Sequence, residues 1–209
     1  MVYGYAAIGD SLTVGTGTLP GNGFVAVYRK LASVSLHAHV VRSNWGINGL
    51  TSGQLLDLVR GNPAIRSSLA DAQIITVSIG GNDLLRAFRG VRYGSQPSYS
   101  AVLPQVQRNV EGIIREIYTL KKKESGRFMI RAVGLYNPLP SVPEAGYWVE
   151  RYNLFLQGLN SPGFAAADLY PAFSGREREL LSLDRIHPNA RGYRVIAFEL
   201  NRLGYGSLG

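Results

Sequence analysis

Short apolar runs alternate with longer segments of helical periodicity along almost the whole chain. The apolar runs predict strands at Tyr3–Ile8, His39–Ser43, Ile74–Ile79, Phe128–Val133 and Phe164–Leu169. The periodic segments predict helices at Phe24–Ser35, Thr51–Arg60, Val102–Lys123 and Asn189–Leu203. Strands that alternate with helices pair in parallel, because each helix crosses over to the next strand. The pattern therefore predicts an α/β fold, with a mainly parallel sheet covered by helices on both faces.

One helix and one strand stand out in this pattern. The stripe along Val102–Lys123 recurs at helical spacing and consists of Val106, Val110, Ile113, Ile114, Ile117 and Leu120. Ile74–Ile79 is the most apolar strand and is predicted to be central in the sheet. Gly90–Ser100 and the proline-rich Tyr136–Gly146 predict loops, but helix or strand patterns resume after each. We therefore expect residues 1–209 to form a single domain.

The composition excludes several classes of chemistry. The chain contains no cysteine, so disulfide bonds, thiol catalysis and cysteine-ligated zinc are excluded. The formal net charge of +8 can attract nucleic acid or an anionic membrane. The charges are dispersed, however, and the one tight run, at residues 121–123, ends a predicted helix, where cations complement the helix dipole. Nucleic acid is not expected as a partner, whereas peripheral contact with anionic lipid and the oligomeric state stay open.

The amino-terminal sequence bears on location. It has neither the basic segment nor the long apolar core of a signal peptide. No apolar stretch is long enough to predict a membrane-spanning helix. We therefore expect no transmembrane segment, and a secreted form only if a leader has been removed.

The segment YAAIGDSLTVGTG, residues 5–17, admits three interpretations: a nucleotide-binding loop, a nucleophilic serine at a strand end, or a structural turn. A dinucleotide fingerprint needs a third glycine and an immediate helix, but Gly15 and Gly17 are followed by Thr-Leu-Pro. A phosphate-binding P-loop ends in Gly-Lys-Ser/Thr, and the first lysine of the chain is Lys30. The nucleotide hypothesis is therefore set aside.

Four segments supply the groups that acyl transfer by a serine requires, and they are Gly9–Leu12, Asn44–Thr51, Gly80–Asp83 and Asp184–Pro188. Ser11 can attack, His187 can accept its proton, and Asp184, three residues earlier, can fold back on the other ring nitrogen. The backbone N–H groups of Ser11 and Gly46 and the side-chain amide of Asn82 can donate to one oxyanion. In open α/β sheets the ligand site lies at the carboxyl ends of strands, and these segments are predicted to lie there.

In these segments the chain resembles the SGNH hydrolases, also called GDSL lipases and esterases. The letters of the family name correspond to Ser11, Gly46, Asn82 and His187. The resemblance implies a doubly wound, flavodoxin-like fold and hydrolysis of carboxylic esters through an acyl-serine intermediate, with no cofactor and no metal. Residues 134–138 are also similar to lipase-like members from spore-forming bacteria, so we expect a cytoplasmic or spore-associated protein.

The substrate stays open at this point, because the family also includes thioesterases, lysophospholipases and sugar O-deacetylases. A binding module without catalysis is a remote alternative, since every catalytic position is filled. The candidates for the substrate pocket lie beside the serine and around the proline-rich loop, and they are Leu12, Tyr136, Pro138 and Tyr147. Trp148 and Tyr152 are four residues apart, so a helix would place both against the core. Asp10 and Asp83 are expected to cap backbone N–H groups of the turn or helix that each begins.

Overall fold

The fold is built on a five-stranded sheet in which every neighbouring pair of strands is parallel. The computed structural model describes residues 1–92, 99–122 and 126–209. The strands are β1 (Val2–Gly9), β2 (His39–Gly46), β3 (Ile74–Ser78), β4 (Met129–Val133) and β5 (Phe164–Ala167). Their order, β2-β1-β3-β4-β5, is the doubly wound order of flavodoxin-like folds. The predicted fold class and the central position of the third strand are therefore confirmed.

Helices connect the strands and cover both faces of the sheet. They are α1 (Ser11–Val14), α2 (Phe24–Ser35), α3 (Ser52–Gly61), α4 (Pro63–Asp71), α5 (Gly81–Arg92), α6 (Tyr99–Lys121), α7 (Pro143–Gly158), α8 (Tyr170–Phe173), α9 (Glu177–Leu180) and α10 (Ala190–Arg202), followed by a 3₁₀ turn at Gly206–Leu208. Among the helices of the described residues, none combines the length and the apolar character needed to cross a bilayer.

Several predicted boundaries differ from the observed ones. The sequence pattern missed α4, which begins directly after α3 because Asn62 accepts the N–H groups of Ala64 and Ile65 and Pro63 suits the first helical turn. The predicted loop Tyr136–Gly146 is shorter than expected, since α7 begins at Pro143. The ends of the predicted loop Gly90–Ser100 are helical; its residues 93–98, like Lys123, lie outside the described residues.

Two apolar cores lie on opposite faces of the sheet, and the alternation of side chains along β1 divides between them. Ala6 and Ile8 pack with helices α3 to α7 in one cluster, whereas Tyr5 and Ala7 pack with α2 and α10 in the other. Residues one apart on a strand point to opposite faces, so a strand buried on both faces is apolar throughout. The predicted stripe of α6 belongs to the first cluster.

The register of the sheet positions the segments that follow its central strands. Gly9, the last residue of β1, is opposite Ser78, the last residue of β3. The connections after β1 and β3 therefore leave the same edge side by side, at the point where the strand order reverses. This is the location at which open α/β sheets form ligand sites.

Candidate active site

The end of β1 presents Ser11 through a capped turn. Asp10 is extended, and its Oδ1 atom accepts the N–H of Leu12 at 3.1 Å and the hydroxyl of Ser78 at 2.9 Å. Ser11 is the first residue of the short helix α1, which ends at the left-handed Gly15. The Asp10 side chain thus caps the turn that holds Ser11, as the sequence predicted for this residue.

The carboxyl group of Asp10 is buried and lines the cavity beside the serine. Burial raises the pKa of Asp10 to about 6, because the charged form loses its hydration; the hydrogen bonds from Ser78 and Leu12 act in the opposite direction. Asp10 is therefore ionised at neutral pH only at a cost to the folded state.

The loop before α10 folds as a tight hairpin that presets Asp184 against His187. The N–H of Ser182 donates to the carbonyl of His187 at 2.8 Å, and Arg185 adopts a left-handed φ of 57° at the turn. Oδ1 of Asp184 accepts three hydrogen bonds, from the hydroxyl of Ser182 and the N–H groups of Ile186 and His187. Its other oxygen, Oδ2, is thereby directed at the imidazole.

Burial alone would raise the pKa of Asp184, but hydrogen bonds from the side chain and backbone of His187 and from the backbone of Ile186 hold it well below its ordinary value. The carboxylate is half exposed and remains ionised throughout the neutral range. It can therefore stabilise a positive charge that develops on the imidazole.

The structure joins the side chains of Ser11, His187 and Asp184 by hydrogen bonds, with the imidazole between the other two. Nδ1 of His187 lies 2.6 Å from Oδ2 of Asp184, and Nε2 lies 3.0 Å from Oγ of Ser11. When Nδ1 donates to the carboxylate, Nε2 is the free acceptor for the serine proton. The arrangement has the geometry of a nucleophile, a general base and a group that orients the base.

Side chains from neighbouring elements support this hairpin and the loop after Ser11. The hydroxyl of Tyr136 donates to the carbonyl of Ile186 at 2.7 Å, and its ring stacks on Phe173 with 4.4 Å between centroids. Asn189 caps α10 with its Oδ1 and donates from Nδ2 to the carbonyl of Leu181. Tyr193 of α10 donates to the carbonyl of Thr16 at 2.6 Å, which ties the loop after α1 to the same helix.

Two N–H donors are available beside the serine for a developing oxyanion. Nδ2 of Asn82, at the start of α5, donates one hydrogen to the carbonyl of Leu50 at 3.0 Å, which orients the amide and leaves its second hydrogen. The backbone N–H of Ser11 has no hydrogen-bond partner within the described parts of the chain. Asn82 and Ser11 both line the cavity.

Gly46, the third predicted oxyanion donor, is arranged differently from the prediction. Its N–H donates to Oδ1 of Asn44 at 2.9 Å, and Gly46 is not among the residues that line the cavity. The lack of a side chain serves packing instead, because a Cβ on Gly46 would lie 2.5 Å from the N atom of Val14 in α1. The geometry therefore does not support Gly46 as an oxyanion donor.

Asp83 contacts a second helix in addition to the one predicted. Its carboxylate accepts the N–H of Ser52 at 3.0 Å and the hydroxyl of Ser52 at 2.8 Å, so it caps α3, and the N–H of Asp83 itself in the first turn of α5 also stabilises the carboxylate. Burial raises the pKa of Asp83, and the hydrogen bonds from Ser52 act in the opposite direction. The contact fixes α5, and with it Asn82, against α3.

A cavity of about 360 Å³ opens beside the Ser11–His187 pair, within the range of small-molecule sites. Its wall between α5 and α7 is apolar and consists of Leu84, Leu85, Phe88, Ala145, Trp148 and Val149. Three of the predicted pocket residues also line the cavity, and these are Leu12, Tyr136 and Pro138. The space next to the serine is thus shaped for an apolar group.

Tyr147 does not line the cavity, contrary to the prediction. It is exposed and contacts the edge of Trp148 with 5.0 Å between ring centroids. Successive residues of a helix point about 100° apart, so Trp148 faces the cavity while Tyr147 faces solvent. Tyr152, one turn beyond Trp148, is buried in the core as expected. The α5 residues of the wall were not predicted from the sequence, although Leu84, Leu85 and Phe88 have the spacing of one helix face.

A doubly wound parallel sheet that brings a serine, a histidine and an aspartate together at its carboxyl edge is an arrangement suited to a serine hydrolase. The model of the GDSL-like Lipase/Acylhydrolase family matches residues 7–195. The chain therefore belongs to the GDSL lipase/acylhydrolase family, and it is a carboxylic ester hydrolase.

Two relatives extend over essentially the whole chain. Spore germination lipase LipC of Bacillus licheniformis is 34% identical over 211 aligned positions, which cover 100% of this chain and 99% of that protein. The crystal structure of the lipase Lip_vut3 from a goat rumen metagenome is also 34% identical, with a TM-score of 0.93 over 99% of this chain and 100% of that one. The acetylxylan esterase Axe2 of Geobacillus stearothermophilus, at 17% identity and a TM-score of 0.72 over 96% of this chain and 93% of that one, shares the fold.

Proposed function

We propose that Ser11 is the nucleophile of this hydrolase, with His187 as general base and Asp184 as the group that orients it. The observation that supports these roles most directly is the 3.0 Å approach of Nε2 of His187 to Oγ of Ser11 at the wall of the cavity. Asp184, held by three donors on Oδ1, directs Oδ2 at Nδ1 and favours the tautomer in which Nε2 is unprotonated.

In the first half of the reaction, Oγ of Ser11 forms a bond to the carbonyl carbon of the ester while its proton moves to Nε2 of His187. The carbonyl oxygen becomes an oxyanion, which accepts hydrogen bonds from the backbone N–H of Ser11 and the side-chain amide of Asn82. The bond to the leaving alkoxide then breaks, and the alkoxide takes the proton from Nε2. In the second half, a water molecule repeats these steps and releases the carboxylic acid.

The acyl group that the cavity fits best is an apolar chain. The wall contributed by α5 and α7 is hydrocarbon and aromatic, so it offers burial of apolar area but few hydrogen-bond partners. An acetylated sugar would present hydroxyl groups to this wall, and those groups would lose their hydrogen bonds to water. We therefore favour a lipid ester over a sugar acetate as the substrate class.

The relative named spore germination lipase supports a spore-associated role for this chain. That assignment rests on the likeness to the relative.

A panel of soluble esters with one leaving group and acyl chains of increasing length tests the substrate class. We expect kcat/KM to rise from acetyl to medium chains, because each further methylene contributes about 0.8 kcal/mol when buried. The variant Leu85→Trp, which narrows the cavity, should lower kcat/KM for the longer chains by about tenfold and leave acetyl esters within about twofold. Leu154→Trp, on the exposed face of α7, is the matched control. A preference for acetyl esters in the parent protein would contradict the proposal.

A further inference from the structure

The surface around the carboxyl edge of the sheet differs from the rest of the molecule in its charge. The connections at residues 15–23, 47–51 and 134–142 follow α1, β2 and β4; the first two are largely exposed, whereas residues 134–137 of the third are buried. They contain no Asp, Glu, Lys or Arg, although 17% of the chain is charged. Surface loops without charge are a specific feature, because loops normally face water.

These connections form one continuous surface with the hairpin of His187. The hydroxyl of Thr16 donates to Oδ1 of Asn48 at 2.6 Å and joins the first two connections. Gly17, left-handed at φ 95°, lies against the hairpin so closely that a Cβ would be 3.0 Å from Cβ of His187. The uncharged surface therefore adjoins the proposed catalytic groups directly.

Large apolar side chains are exposed on these connections, on the hairpin and on the adjoining start of α7. We call Leu19, Ile47, Tyr147 and Leu183 the apolar rim. Leu183 is fully exposed between Ser182 and Asp184, and Leu19 is 74% exposed. Exposed apolar groups on neighbouring elements around a ligand cavity indicate an interaction surface, whereas single exposed leucines elsewhere need no explanation.

Two exposed arginines flank the rim. Arg185 lies at the turn of the hairpin, and Arg86 donates to the carbonyl of Gly49 in the second connection at 3.1 Å. Neither is within ion-pair distance of a carboxylate in the described parts of the chain. The nearby carboxylates are those of Asp83 and Asp184, which accept hydrogen bonds, and of Glu144 in α7, which is exposed. The rim therefore lies beside charges of both signs, on a chain whose formal net charge is +8.

We propose that the apolar rim docks on an anionic lipid surface, with Arg86 and Arg185 facing the headgroups. The inference rests on the proposed function, because the apolar cavity next to the rim would then receive an acyl chain directly from the lipid layer. Apolar side chains enter the interface, and cations near an anionic surface each add about 1 kcal/mol of attraction. The formal net charge of +8 favours an anionic surface over a second, equally charged copy of the chain as the occupant.

Vesicle binding of the full chain tests the proposal, with Ser11→Ala in every protein so that the lipid is not consumed. We expect co-sedimentation with phosphatidylcholine vesicles that contain phosphatidylglycerol, and weaker binding to phosphatidylcholine alone. Leu19→Ser with Leu183→Ser should weaken the apparent affinity about tenfold or more. Arg185→Gln should weaken it about fivefold. The matched control is Val34→Ser with Leu154→Ser, which removes exposed apolar groups away from the rim and should bind as the parent does.

Three results would overturn the proposal: no binding of the parent to either vesicle, equal binding by the rim and control variants, or a dimer of the parent that the rim variant dissociates. With Ser11 restored, the rim variant should hydrolyse a soluble short-chain ester at the parent rate. If the parent protein with Ser11 present bound vesicles but did not hydrolyse the soluble ester, the result would count against the proposed function and leave the proposed docking surface standing.

Discussion

Nε2 of His187 lies 3.0 Å from Oγ of Ser11, although 176 positions separate the two residues in the sequence. Each partner is positioned by its own local structure. A capped turn at the end of β1 presents Ser11, and the Ser182–His187 hairpin presents the imidazole. Because the two supports are separate, a substitution in one should leave the other in place, and the roles can be tested singly.

Asn82→Ala should lower kcat by roughly 10²–10³ and change KM much less. The amide donates to an oxygen whose charge is small in the bound ester and nearly full in the tetrahedral intermediate, so its hydrogen bond matters most in the transition state. Steady-state kinetics on a soluble short-chain ester measure both constants. Asn48→Ala, which removes an asparagine from the neighbouring loop, is the control and should retain kcat. A strong rise in KM at constant kcat would mean that Asn82 binds substrate instead.

Asp184→Asn should reduce kcat by about 10³-fold or more, although the side chain keeps its shape. Three donors occupy the Oδ1 position, so the new amide must place its NH₂ group toward Nδ1 of His187. Nδ1 then becomes an acceptor, and the proton moves to Nε2, which can no longer accept one from Ser11. The comparison is with Asp57→Asn, an exposed aspartate on α3. An effect below tenfold would show that Asp184 does not orient the base.

Asp10→Asn should stabilise the folded protein at neutral and alkaline pH. Burial raises the pKa of Asp10 from 3.8 to about 6, so the folded protein binds this proton more tightly than the unfolded chain does. Ionisation of Asp10 therefore lowers the free energy of unfolding by about 3 kcal/mol above pH 6. The asparagine keeps an oxygen for Leu12 and Ser78 and carries no charge. This loss of stability is present at pH values above the pKa of Asp10 in the folded protein, and it vanishes below the pKa of Asp10 in the unfolded chain.

Denaturant unfolding over a range of pH values measures this effect. The gain in free energy of unfolding should be about 2–3 kcal/mol near pH 8, decline as the pH falls through about 6, and be small near pH 4. A gain that does not vary with pH, or a loss at alkaline pH, would contradict the proposed cost of the buried charge.

Sequence patterns predicted the sheet well because its central strands are buried on both faces. The largest underestimate was β2, since it is an edge strand whose last residues, from Asn44 to Gly46, are not an apolar run. The helix α4 was missed because it buries only Ile65 and Leu69, and two apolar residues one turn apart are too short a stripe to predict a helix.

The candidate site was predicted less evenly, and the errors have a common cause. The side chains of the Ser–His–Asp line have chemistry that identifies them, whereas Gly46, Tyr147 and Asp83 depend on which way each group points. A hydrogen bond from Gly46 to Asn44, a helical rotation between Tyr147 and Trp148, and a contact from Asp83 to another helix decide these positions. The contacts of Gly46 and Asp83 are tertiary and are not encoded in residue spacing, whereas the rotation between Tyr147 and Trp148 follows from helical periodicity once the helix is known.

The most direct test of the account is covalent labelling of Ser11. An irreversible fluorophosphonate reacts with an activated serine and forms a stable phosphonyl ester, which intact-protein and peptide mass spectrometry can locate. We expect a single adduct on the peptide that contains Ser11. Ser11→Ala should form no adduct and show no ester hydrolysis, while its thermal unfolding stays close to that of the parent. An adduct on a different serine, or ester hydrolysis by Ser11→Ala within tenfold of the parent rate, would contradict the proposed role of Ser11.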